Sequence, residues 1–231
     1  MSPTLYTFSE SGNSYKVRLL ASLLNIDISF QDVDVLSGAQ HTTGFLAINP
    51  RAQLPVLEDG DLLLADSAAI LVYLAGRYPD PGSSSRPSSF WSSDTVEQAK
   101  IMEWLAFAAS WIQFGVFTAR AIISYSGNYN GMGPKITEGG YEEAKVRSYK
   151  SLDILEEQLS KEEWLALGRL TIADIAVFPY VALAPMGDIN LGPYKNVRAW
   201  IGRIKKLDGF VTMNGIDDPS YLKKKEDKAK L

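Results

Sequence analysis

The chain contains no cysteine. This excludes disulfides, a Cys-x-x-Cys redox pair, a nucleophilic protein thiolate and any zinc site built on sulfur. His41 is the only histidine, so a histidine-based metal centre is not expected either, and no metal is assigned. Positive charge is not in excess: 23 Lys and Arg face 27 Asp and Glu, for a net charge of −4 and a sequence pI of about 5.1. Such a field draws in neither nucleic acid nor an anionic membrane. The only basic cluster, Lys223–Lys230, is interrupted by Glu226 and Asp227 and reads as a solvated end. No stretch of about 18 apolar residues is expected, and no basic–apolar leader precedes Leu5. The expectation is a soluble, cytoplasmic protein with no nucleic-acid or membrane partner.

What is present divides the chain in two. Its 231 residues, 46% of them hydrophobic, are enough for real cores. Residues 1–79 alternate short apolar strands with helical patterns. Leu5–Phe8 is a strand candidate. Asn13–Asn25 has Val17, Leu20, Ala21 and Leu24 on one helical face, and Ser29–Val35 is a second strand in which Phe30 alternates with Gln31 and Asp32. A short irregular helix over His41–Ile48 follows. Asp59-Gly60 is a strong turn dipeptide, so Val56–Glu58 and Leu62–Ala65 should pair as a hairpin before a helix from Ser67 to Arg77. The order βαβ then ββα is that of an α/β, thioredoxin-like domain. Residues 80–93, rich in Pro and Ser, have the composition of a linker. Residues 94–231 offer only helices: Asp94 to about Tyr125, Tyr141–Leu159 and Thr171–Ala184, with a break at Gly127–Gly140. Thr171 and Asp174 have the spacing of a capping box, and the nearly all-apolar residues after them predict a helix buried on every side.

The segment from Arg51 to Ser67 carries the strongest functional signal. Pro55 can open a strand but cannot donate a hydrogen bond there, and Leu54-Pro55 is a candidate cis bond. A cis bond would turn the N–H and C=O of Leu54 outward, toward the backbone of an extended peptide. Asp66-Ser67 sits where a helix begins, offering a carboxylate and a hydroxyl beside exposed N–H groups. Together these describe a site for a small peptide with charged ends. Gln53-Leu54-Pro55-Val56-Leu57 with Asp66-Ser67 resembles the glutathione-binding signature of the cytosolic glutathione transferases. Leu170-Thr171-Ile172-Ala173-Asp174, running on to Pro179, resembles the capping motif of the central helix in the all-α C-terminal domain of that family. The likeness runs from about Leu5 to about Phe210, with a lean toward serine-type bacterial and fungal members.

That resemblance implies chemistry in Ser9-Glu10-Ser11-Gly12-Asn13-Ser14. It puts Ser11 at the position of the hydroxyl that stabilises the glutathione thiolate, and Asn13 at a second donor used by some relatives. Ordinary N-capping by Ser11, Asn13 or Ser14 is the alternative reading of the loop. Tyr6 stands too early for the tyrosine that other classes use. For glutathione, Asp66 suits the γ-glutamyl ammonium and Ser67 its carboxylate, while Gln40, His41 and Gln53 match positions that hold the glycyl carboxylate. Thr42 and Thr43 stand where relatives often have lysine, so His41 would carry more of the binding; a bare surface position at the start of a helix is its alternative.

The second substrate is the less defined one. Phe107, Trp111 and Phe114 form one stripe of the first long helix, flanked by Trp104 and Phe117, and imply an apolar pocket for a bulky electrophile or unsaturated metabolite. Tyr125, Tyr129 and Met132 would form a mobile rim, and Met186-Gly187 would lie nearby. The resemblance implies a homodimer and four possible outcomes. These are conjugation, glutathione-dependent cis–trans isomerisation of a conjugated alkene as in fungal secondary metabolism, disulfide reduction with two glutathione molecules, or binding without turnover.

Overall fold

The computed structural model describes residues 2–84, 88–125 and 138–221. Strand β1 (Thr4–Thr7) leads into α1 (Gly12–Leu23), β2 (Ser29–Asp32), a 3-10 turn (Ala39–His41) and α2 (Thr43–Ile48). The hairpin β3 (Val56–Asp59) and β4 (Leu62–Leu64) precedes α3 (Ser67–Arg77). The sheet order is β2-β1-β3-β4, with β1 parallel to β2 and antiparallel to β3, and β3 antiparallel to β4. This is the thioredoxin-like arrangement. Leu5 and Leu57, facing one way from paired strands, pack with Val17, Leu20, Ile70, Leu71 and Leu74, all fully buried. Val33, Phe45 and Val56 make a smaller core on the other face.

The second strand is shorter than its composition suggests. It ends at Asp32, and all four of its residues are exposed; Phe30, at 56% exposure, packs on neither core. As an edge strand it takes its order from backbone pairing with β1, so side-chain alternation is a poor guide there.

The rest is helical: α4 (Thr95–Phe107), a π-helical segment (Ala108–Phe117), α5 (Thr118–Tyr125), α6 (Glu138–Lys161), α7 (Ile172–Ala182), a 3-10 turn (Ala184–Gly187) and α8 (Lys195–Ile204). From Thr95 to Tyr125 the chain is one continuous helical run, long and apolar enough by average composition to cross a membrane. Scattered polar residues hide this from a search for unbroken apolar stretches. Here Ile101, Leu105, Ile112, Val116 and Ala119 are fully buried or nearly so inside the protein, so the run serves as core. Inside it Gly115 leaves helical geometry (φ −100°, ψ −105°). A Cβ at that position would stand 3.0 Å from the backbone nitrogen of Ser148, so glycine lets the π segment lie directly on α6.

Every residue of α7 is buried. The Thr171 hydroxyl accepts from the N–H of Ala173, and the Asp174 carboxylate accepts from the N–H of Thr171 at 3.0 Å, the expected capping box. Asp174 also accepts from the Leu165 N–H and the Trp200 indole N–H, each at 3.0 Å. Burial pushes its carboxyl up to about 6, against the pull of those donors. Trp200 belongs to α8, a helix that the expected run of three did not include. Of the expected rim, Tyr129 and Met132 lie outside the described residues, as do the Lys223–Lys230 cluster and most of the glycine-rich break.

Candidate functional site

The loop between β1 and α1 is fastened at both ends. The N–H of Ser11 donates to the Phe8 carbonyl at 3.0 Å, and the N–H of Phe8 donates to the Ser14 hydroxyl at 3.3 Å. Ser11 is the N-cap of α1: its Oγ accepts the N–H of Ser14 at 3.2 Å. Capping engages one lone pair of that hydroxyl and leaves its proton, for which no acceptor is found among the described residues. Ser11 is buried and lines the cavity, so a proton donor stands there at the positive end of a helix. Capping and donation are therefore compatible roles, carried by one oxygen.

Two residues on, Asn13 accepts through Oδ1 from the Lys16 ammonium at 2.8 Å, and its backbone N–H donates to the Tyr180 hydroxyl at 3.1 Å. Tyr180 comes from α7, and its ring fills the space in front of Gly12. A Cβ on Gly12 would stand 2.6 Å from that ring, so a side chain there is excluded by close approach. Lys16 is buried, its ammonium 5.3 Å from the Tyr180 ring centroid. Burial pushes it down to about 8, with the charge of Asp66 opposing. The loop is tied to the helical part a second time. Buried Arg120 donates to the Glu10 carbonyl at 3.2 Å and to the Tyr125 hydroxyl at 2.9 Å, and that hydroxyl donates to the Glu10 carboxylate at 3.0 Å.

The facing wall is the segment 49–67. Buried Asn49 braces it: its Nδ2 donates to the Gln53 carbonyl at 2.8 Å and its Oδ1 accepts the Arg51 N–H at 3.1 Å, while the Arg51 guanidinium donates to the Ala65 carbonyl. Ala52 sits in left-handed backbone (φ 52°), an uncommon conformation for a residue with a Cβ. The Leu54-Pro55 bond is cis, and no loop or turn hydrogen bond among the described residues engages the N–H or C=O of Leu54. Asp66 caps α3 through Oδ1 alone, accepting from Ala68 at 2.8 Å and Ala69 at 3.1 Å. No hydrogen bond engages its second oxygen among the described residues, and Asp66 lines the cavity. Ser67, buried, begins α3 beside it. Gln40 is also buried, and its side-chain oxygen has no partner. Since the two ends of a carboxamide are interchangeable by rotation, Gln40 can present either an acceptor or an N–H2 donor to a ligand.

These groups converge on one cavity of about 380 Å³. Ser11, Asn13, Gln40, Gln53, Leu54, Pro55, Asp66, Ser67 and Phe114 all line it. His41, Phe107 and Trp111 do not. His41 lies exposed at the end of its 3-10 turn. Phe107 packs edge-on against Trp104, with ring centroids 5.2 Å apart, and Trp111 is turned to the surface. The apolar stripe fails because the π segment begins right after Phe107, so spacing by 3.6 no longer gives the face. Phe114 and Phe117 line the cavity instead, with Phe117 edge-on to Tyr180. Tyr125 is taken up by Glu10 and Arg120, and Met186 is buried in the core. Tyr6 donates to Glu58 at 2.9 Å and stands outside the lining. Sequence reasoning missed Phe8, Lys16, Gln113 and Tyr180. Only Lys16 left a trace, as a charge on the otherwise buried face of an amphipathic helix.

Two family models match the chain. The glutathione S-transferase N-terminal domain covers residues 5–82, and the glutathione S-transferase C-terminal domain covers residues 104–208. Among curated proteins, the chain is 28% identical to glutathione S-transferase D7 of Anopheles gambiae over 207 residues, covering 89% of this chain and 87% of that one. It is 26% identical over 205 residues to the disulfide-bond oxidoreductase YfcG of Escherichia coli, covering 86% and 88%. Among solved structures, a glutathione S-transferase from Pseudomonas fluorescens superposes with a TM-score of 0.80 at 32% identity, covering 93% of this chain and 100% of that one.

Proposed function

Since this chain belongs to the glutathione S-transferase family, we propose that it is a serine-type glutathione transferase that delivers the glutathione sulfur to an apolar electrophile. The observation that carries this reading is the Ser11 hydroxyl, whose oxygen caps α1 while its proton remains for the cavity. Glutathione supplies a thiol with a pKa near ~8.5, mostly protonated at neutral pH. A hydroxyl donor at a helix N-terminus favours its anion. Asn13 is the second donor. Asp66, through its uncommitted oxygen, takes the γ-glutamyl ammonium, and the Ser67 hydroxyl and N–H take the adjacent carboxylate. Leu54 pairs with the backbone of the extended peptide. Gln40 and Gln53 hold the glycyl carboxylate, which repairs the unpartnered amide of Gln40. Phe114 and Phe117 provide the apolar wall for the electrophile. As in the family, the working unit is taken to be a homodimer.

The test is an absorbance titration of the bound thiolate in wild type and Ser11→Ala. The serine-deleted protein should show a thiol pKa higher by at least about one unit. An unchanged pKa would remove Ser11 from the mechanism.

A second reading, disulfide reduction, is favoured by the similarity to the Escherichia coli oxidoreductase. With no protein cysteine, both electrons would come from two glutathione molecules, which leave joined as their disulfide while the substrate disulfide takes up two protons. Following glutathione separates the outcomes. Conjugation consumes it one for one, disulfide reduction converts it to its disulfide, and alkene isomerisation returns it unchanged.

A further inference from the structure

Lys16 is the only buried lysine among the described residues. No carboxylate lies within ion-pair distance of it there. Its neighbours in the cavity are the Asn13 amide on its own helix, the Tyr180 ring from α7 and, at longer range, the Asp66 carboxylate ahead of α3. A buried ammonium with no ion-pair partner is costly, and such groups are found preferentially where they act on something. None of the contacts assigned to glutathione above uses it.

The hydrogen bond to Asn13 determines more than its length suggests. An ammonium has only donors, so the amide atom facing it must be the oxygen. The amide nitrogen then lies at the opposite edge of a rigid plane, and no acceptor for it exists among the described residues. Asn13 and Ser11 line the same cavity, two residues apart in the chain. We propose that Lys16 is the positioning residue of the sulfur site, locking the Asn13 carboxamide with its N–H2 toward the sulfur that Ser11 also addresses. The inference rests on reading the cavity as a glutathione site. Without Lys16 the amide is free to rotate and present its oxygen, which would repel a thiolate instead of binding it.

The experiment compares Lys16→Met, Lys16→Gln, Asn13→Ala and the double variant Lys16→Met/Asn13→Ala in the full chain, reading the pKa of bound glutathione thiol. Lys16→Met should raise that pKa by about one unit, cutting the thiolate at neutral pH about tenfold. Lys16→Gln keeps an N–H donor for the Asn13 oxygen without the charge but adds a carbonyl that can turn toward it, so its thiol pKa should fall between wild type and Lys16→Met. In the Asn13→Ala background, Lys16→Met should add nothing. An unchanged pKa in Lys16→Met overturns the proposal. So does an undiminished effect of Lys16→Met without Asn13, or a Gln variant as impaired as Met, since either means that Lys16 acts through its own charge. Calorimetry on the wild type comes first. No glutathione uptake would sink the functional reading and this one together, whereas uptake with a silent Lys16→Met sinks this one alone. Should Lys16→Met fail to fold, the Gln and Asn13 variants still decide.

Discussion

An ammonium enclosed at the base of a cavity costs the free protein stability, and for Lys16 the pH window of that cost can be stated. Its folded value is lowered from 10.5 to about 8. Below about 8 both folded and unfolded chains hold the proton and the cost is fully present. Between about 8 and 10.5 the unfolded chain binds a proton that the folded one has released, so stability rises with pH through this window. Lys16→Met lacks the cost throughout. Its melting temperature should therefore exceed wild type by most at neutral pH, with the gap closing toward pH 10.5. Thermal melts on both sides of the window check this, and a constant gap would contradict it. At this scale the placement of Ser11, Asn13, Asp66 and Ser67 along the cavity was readable because it follows from local sequence: a loop, a helix start, a proline. Lys16 left only a trace, a charge on the buried face of α1, because the ring that closes over it, Tyr180, stands 164 positions onward.

Among the elements, the π segment decides which aromatic residues line the cavity. Gly115 permits it by bringing the backbone of Ala108–Phe117 onto that of α6. Gly115→Ala should cost about 1–3 kcal/mol through overpacking, measured by denaturant unfolding. Because Phe114 and Phe117 flank the substitution and line the cavity, KM for the electrophile should rise while glutathione affinity holds. The helical character of 95–125 was legible from its periodicity, but the change of register was not, because it is imposed by contact with a distant helix. The α8 helix had its own signal in Val197, Trp200 and Ile204, all fully buried. Ten residues rich in Arg, Lys and Asn gave that pattern little weight. The capping box of α7 is the opposite case, a local device legible in full. Thr171→Ala should lower stability by about 0.5–2 kcal/mol, read in the same unfolding experiment, with the bound thiol pKa unmoved.

In the whole molecule, the sheet-bearing and helical parts share a single continuous core, from Leu5 and Leu74 through Ile101 to Trp200. Polar ties reinforce it: the Tyr15 hydroxyl donates to the Val211 carbonyl, Ser22 to that of Gly209, and Arg120 to that of Glu10 in the loop between β1 and α1. Calorimetric unfolding should accordingly give one transition. Two resolved transitions would mean that the shared core does not couple the parts. Two-part organisation was visible in composition, whereas the ties were not, since each joins residues more than a hundred positions apart.

The ring of Tyr180 resting on Gly12 carries a consequence for how such a protein can diverge. Neither position can drift by itself: any larger residue at 12 strikes the ring, and any smaller residue at 180 opens a void beside the first turn of α1. Across descendants of this chain the two sites should therefore vary as a correlated pair, inherited together even though they fall in opposite halves of the gene.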